Sequence, residues 1–171
     1  MDIKEEILKE HSRKQATKIA DYIGNDKERF HQLMKLFFSK DTILSQRSAW
    51  VMSSCVMAFP ELILPYIKQL LENLNNTVHP AVKRNSIKVL ELIEIPEAFM
   101  GLATNVCFEI LLSNKEEVAQ QAYAMSVLYN IATKEPELKN EIKLVIEDMI
   151  PNGSPAIVSR GKKVLKQLAK L

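Results

Sequence analysis

Apolar positions recur along this chain at a helical spacing, and the helices themselves recur. Val51, Val89, Val127 and Val164 stand 38, 38 and 37 residues apart. Each is followed by an apolar residue (Met52, Leu90, Leu128, Leu165), and each has a small residue three positions earlier (Ser48, Ser86, Ala124, Gly161). Four positions after each valine come Cys55, Ile93, Ile131 and Leu168. Leu44, Val82 and Ile157 lie four before the small residue, with Gln120 the polar member of that column. Together these positions form one stripe of a 3.6-residue helix. A small residue at the stripe's centre fits a place where another helix backbone approaches closely. Columns that agree in polarity and size at one period are the mark of a repeat protein.

A second helix is expected after each of these inner ones. Pro60, Pro96 and Pro136 are each followed by glutamate, which suits a first helical turn, where the missing proline N–H is an orphan anyway and a carboxylate meets the positive dipole end. Positions +2, +6, +10 and +14 from each proline give Leu62, Tyr66, Leu70, Leu74, then Ala98, Leu102, Val106, Ile110, then Leu138, Ile142, Ile146, Ile150. All are apolar, so the outer helices repeat in the same register as the inner ones.

A shorter copy precedes these at an offset of 32, with Ala16, Ile19, Ala20 and Ile23 as the inner stripe and Phe30, Met34 and Phe38 as the outer one. Gly24-Asn25, tolerant of left-handed backbone, is expected to stop the first helix. The pattern predicts about nine helices, near 2–23, 27–39, 42–58, 61–75, 80–94, 97–113, 116–133, 136–150 and 155–170, with no strand. The expectation is an all-α, right-handed α-α superhelix forming a single domain over 1–171. Ser48, Ser86, Ala124 and Gly161 are expected to face the paired outer helices. Ala49, Ile87 and Met125, one position further on, are expected to face the next repeat, and Lys162 in the same column marks the stack's end.

The chain resembles the HEAT-like (armadillo-type) helical repeats. Leu62 to Ile93 is similar to one unit: Pro65 lies inside its first helix, Val82-Lys83 stands where the family favours Val-Arg, and Ser86 and Leu90 follow at the right offsets. The resemblance covers nearly the whole chain as four to five degenerate units. Ser39, Thr77, Lys115 and Asn152 replace the family's usual turn Asp, and Ser45, Lys83, Gln121 and Val158 its usual Arg. Tetratricopeptide repeats compete through the placing of Pro60 and Pro136, but their period is shorter and their Trp-x-x-Leu-Gly pattern is missing. The resemblance implies a scaffold or adaptor that binds a protein or peptide through its concave, inner-helix face.

Composition narrows the function by exclusion. With 47% hydrophobic and 26% charged residues, this is a foldable helical chain. A net charge of +2 is too small to announce nucleic acid. The window Ala49 to Ile67 is apolar enough to invite a membrane reading, yet Pro60, Pro65 and the repeat register favour two core helices meeting at a turn. The N-terminus is charged and unlike a signal peptide. Cys55 falls in a core column and Cys107 on an outer helix beside Val106, and the expectation is two buried free thiols in a reducing compartment, the cytoplasm.

The chemistry is sparse. His11, His31 and His79 are scattered, with His79 expected as a turn residue before Pro80 and the other two as solvated helix positions. No Cys-x-x-Cys, His-Glu-x-x-His or phosphate-binding glycine loop is present, so no catalytic, cofactor or metal site is expected. Glu5-Glu6 and Glu116-Glu117 fit helix starts.

What remains is the inner-helix surface opposite the buried stripe. It comprises Lys14, Lys18 and Asp21; Gln46, Trp50 and Ser53; Arg84, Lys88 and Glu91; Ala122, Ser126 and Tyr129; and Ser159, Lys163 and Lys166. Lys18, Trp50, Arg84, Lys88, Tyr129 and Lys163 are the candidate partner contacts, because aromatic and Arg side chains dominate interface energetics. The opposing structural view packs Trp50 against a neighbouring helix and leaves the cations as a solvated face. The alternative function is a nucleic-acid binder or enzyme similar to the alkylpurine DNA glycosylases, with Trp50, Asp21, Arg84 and Lys88 at its groove; length and charge argue against it. A monomer or weak oligomer is expected.

Overall fold

Each of the first four helices begins with a side chain that satisfies orphan amides of its first turn. In the computed structural model, which describes residues 1–113 and 115–171, Asp2 caps α1 (Ile3–Lys9) and Ser12 caps α2 (Arg13–Ile23). Asp26 caps α3 (Lys27–Phe37) and Asp41 caps α4 (Thr42–Ala58). Each accepts a hydrogen bond from an amide in the first turn, the arrangement that stabilises a helix N-terminus by about 1 kcal/mol. The expected helix over 2–23 is therefore two helices. Ser12 draws the Gln15 amide to its hydroxyl at 3.1 Å, and the chain breaks at 10–12 in favour of that cap. Gly24 ends α2 at φ +52°, backbone that glycine adopts without strain.

The segment expected as one helix over 61–75 begins instead as a 3-10 turn, Pro60–Tyr66, and becomes α5 only at Ile67–Leu74. Pro65 has no N–H to offer the Glu61 carbonyl, so the first turns wind more tightly. Next come α6 (Pro80–Leu92), α7 (Glu97–Leu112), α8 (Val118–Ala132), a short 3-10 turn at Pro136–Leu138, α9 (Lys139–Met149) and α10 (Pro155–Leu168). The described residues contain no strand. The all-α class is as the pattern implies, with ten α-helices among the described residues rather than the nine expected.

Contacts divide the chain into two compact units, Met1–Ile93 and Glu94–Leu171. In the first, α4 is the hub, packed against α1, α2, α3, α6 and the Pro60 turn. Eight of its residues are buried, Ser48 and Met52 completely. In the second, α8 packs against α7, α9 and α10. The whole small-residue column, Ser48, Ser86, Ala124 and Gly161, is buried. At Gly161 the reason is visible: a Cβ there would stand 3.0 Å from Ile146 Cγ2 and 3.2 Å from Ile150 Cγ1 of the α9 segment. Ala49, Ile87 and Met125 are fully buried, and Lys162 is exposed.

Three positions depart from the pattern. Ala98, counted in the outer column, is exposed, because α7 starts at Glu97 and its buried face is set by Met100, Ala103, Cys107 and Ile110. Gln120, the polar misfit in the inner column, is nevertheless buried. Ser53, placed on the outward ridge, is buried too, since α4 has neighbours on most sides.

Candidate functional site

The outward side of the inner helices was legible in the sequence; its wiring was not. On α2, Lys14, Lys18 and Asp21 are exposed, together with Arg13 and Thr17. These five line an open depression of about 720 Å³. Lys18 does not stand alone there. Its ammonium donates to Glu6 of α1 at 2.8 Å, and Lys9 and Gln15 also bond that carboxylate. Held chiefly by Lys18, then by Lys9 and Gln15, the Glu6 carboxyl drops from its ordinary 4.5 to about 2. Glu6 is buried, so more than helix-dipole complementarity explains it.

The same junction fixes the tryptophan. Trp50 on α4 is half-buried, and His11, in the break between α1 and α2, meets it edge-on with ring centroids 5.7 Å apart. His11 is exposed as expected, but it lies outside any helix and its ring packs on the indole. One turn earlier, Arg47 donates to the Ile7 and Leu8 carbonyls at 3.2 and 2.9 Å. A guanidinium at the C-terminal end of α1 satisfies orphan carbonyls and matches the dipole. Together Arg47, Glu6 and His11 strap α1 onto the inner helices while leaving part of Trp50 open. The single-helix expectation for 2–23 hid all three, although the Ser12-x-x-Gln15 capping pattern was there to be read.

On α6, Arg84, Lys88 and Glu91 are half-buried. His79 caps this helix, its Nδ1 accepting from the Ala81 amide at 3.1 Å, which is the turn role expected of it. His31 is the exposed helix position expected, on α3, and it also hydrogen-bonds the Tyr66 hydroxyl at 2.9 Å and stacks on that ring. In the second unit, Ala122, Ser126 and Tyr129 are half-buried, while Ser159, Lys163 and Lys166 are exposed. Arg160 reaches from α10 to the Ser126 hydroxyl, with its guanidinium 6.0 Å from the Tyr123 ring centroid. Of the six candidate contacts, Lys18, Trp50, Arg84 and Lys88 therefore lie in the first unit, Tyr129 and Lys163 in the second.

Among the described residues, both cysteines are free and buried. Burial pushes the Cys55 and Cys107 thiols up to about 12, so both stay protonated and unreactive at neutral pH. No group of three or more His, Cys, Asp or Glu is placed to hold a metal ion among these residues. No helix there is long and apolar enough to cross a membrane. What the surface offers is cations, one partly open indole and hydrogen-bond donors, a composition suited to recognition.

A family model described as a HEAT repeat domain matches residues 3–168. No curated protein and no solved structure matches the chain.

Proposed function

The chain belongs to the HEAT repeat family, and from that premise we propose that it is a non-enzymatic binding module, an adaptor whose inner-helix face engages a protein or peptide. HEAT repeats generally mediate protein interactions. The observation that carries the reading is Trp50. A large aromatic side chain left half-open on the hub helix α4, and held in orientation by His11, is the kind of pre-set anchor on which interface energy concentrates. Lys18, Arg84 and Lys88 accompany it on neighbouring inner helices of the same unit. Tyr129 and Lys163 give the second unit a comparable, sparser set.

Photo-crosslinking tests this. A benzophenone amino acid is placed at Lys88 or at Tyr129, and, as the outer-helix control, at Leu144, which is 66% exposed on α9. The expected result is a discrete cross-linked partner from the two inner sites and none from Leu144. Cross-links from Leu144 alone would move the binding surface to the outer helices.

A further inference from the structure

This inference rests on the inner-face reading above and names the partner's chemistry. In the unit Met1–Ile93, α4 packs against both α2 and α6, so three inner helices present their outward register positions side by side. These positions sort by charge. The first two rows hold Lys14 and Lys18, Gln46 and Trp50, Arg84 and Lys88: four cations and no anion. The next row holds Asp21, Ser53 and Glu91, two carboxylates flanking a buried hydroxyl. Lys18 keeps its cationic character toward solvent, since its side chain is 53% exposed while its partner Glu6 is only 9% exposed. Arg13 adds a further cation on the α2 side of the depression.

We infer that this face binds an extended acidic peptide segment with an aromatic or large aliphatic residue at its centre. Carboxylates meet the cations of α2 and α6, and the apolar residue meets the indole of Trp50 between them. The spacing follows from packing. Helices in contact lie 8–10 Å apart, so α2 and α6 are separated by roughly 16–20 Å across α4. An extended chain advances about 3.3 Å per residue, which sets the two acidic groups about five to six residues apart. A narrow peptide can follow the cationic rows and avoid Asp21 and Glu91. A nucleic-acid duplex spreads phosphates over a broader surface and would press some of them against those carboxylates.

The probe is a fluorescein-labelled nonapeptide: two glutamates, two serines, a phenylalanine, two serines and two glutamates. Its scrambled counterpart carries all four glutamates at one end. Fluorescence anisotropy at low salt should show saturable binding of the spaced peptide and at least tenfold weaker binding of the scrambled one. The double variant Lys14→Glu with Lys88→Glu should weaken the spaced peptide at least tenfold, and Lys68→Glu, a charge reversal at an exposed position of the outer helix α5, should leave it unchanged. If the reversal perturbs the circular dichroism spectrum, Lys14→Gln with Lys88→Gln makes the same comparison with a smaller loss. Absence of binding overturns the inference. So does equal binding of the two peptides, indifference to the double variant, or tighter binding of labelled duplex DNA. Undiminished cross-linking of a partner from Tyr129 in the double variant, with no peptide binding, would leave the adaptor reading standing and remove only its acidic chemistry.

Discussion

Helices α8 and α10 carry the same column pattern and live in different surroundings. Helix α8 buries Gln120, Ala124, Met125, Val127, Leu128, Ile131 and Ala132, whereas α10 buries only Ile157, Gly161, Val164 and Leu168. The stripe that defines the repeat is shared, so it explains pairing with the neighbouring helix. The difference lies in the column one position after the small residue, where Met125 is 0% exposed and Lys162 is in solvent. In α4 the same column holds Ala49, also fully buried. A single column therefore tells a helix covered on several sides from one covered along one stripe.

The strongest way to break that comparison is to put a charge in the column. Met125→Glu should cost ~3–5 kcal/mol, the penalty for an uncompensated buried charge, and should leave little folded protein. Lys162→Glu should stay within about 0.5 kcal/mol of wild type, as surface substitutions do. Chemical denaturation of both variants checks the pair, and a normally folded Met125→Glu would undo the assignment. A smaller effect tests the shared stripe. Ala124→Leu and Ser86→Leu should each destabilise by ~1–3 kcal/mol through overpacking, read as a shift of the denaturation midpoint; unchanged midpoints would mean that the small residues face no close neighbour.

The N-terminal end offers a contrast with α10, because α1 buries a charge-paired carboxylate, Glu6, beside its apolar Ile3 and Ile7. Glu6 titrates at about 2 in the folded chain against an ordinary 4.5. A depressed carboxyl stabilises fully above its unfolded value and loses that contribution as pH falls through the folded one. The α1–α2 junction should hold above about pH 4.5 and loosen as pH falls from there toward 2. Amide chemical shifts of α1 followed by NMR should show this step, and Glu6→Gln should abolish it. An acid step that persists in Glu6→Gln would assign the junction's strength to other groups. Smallest of all is Gly101, exposed within α7, where an added Cβ meets nothing within 4 Å. Gly101→Ala should stabilise by ~0.5–1 kcal/mol through backbone entropy, visible as a modest rise in thermal midpoint.

Much of this architecture was written in the spacing of apolar residues. The inner stripe and the small column place the buried faces of α4, α6, α8 and α10 correctly, since burial of a helical face follows from periodicity alone. Departures arise where a local interaction outbids the period. Ser12 capped a new helix inside an amphipathic run, and Pro65 tightened the start of another. Burial of Ser53 and Gln120 needed knowledge of how many neighbours a helix has, which periodicity within one helix does not encode. The candidate surface was legible as register positions. Its wiring was not, because the Glu6–Lys18, Arg47–Ile7 and His11–Trp50 contacts join residues 12 to 40 positions apart.

Native-state hydrogen exchange measures the comparison most directly. Amides in a helix covered on several sides exchange only on global unfolding, while a helix held along one stripe opens by itself at lower free energy. The expected profile has the central turns of α8, around Met125 to Leu128, exchanging at the global limit and sensitive to denaturant. The exposed-faced α10 should exchange ahead of them through local opening. Protection of α10 equal to that of α8, or α8 opening first, would contradict the account.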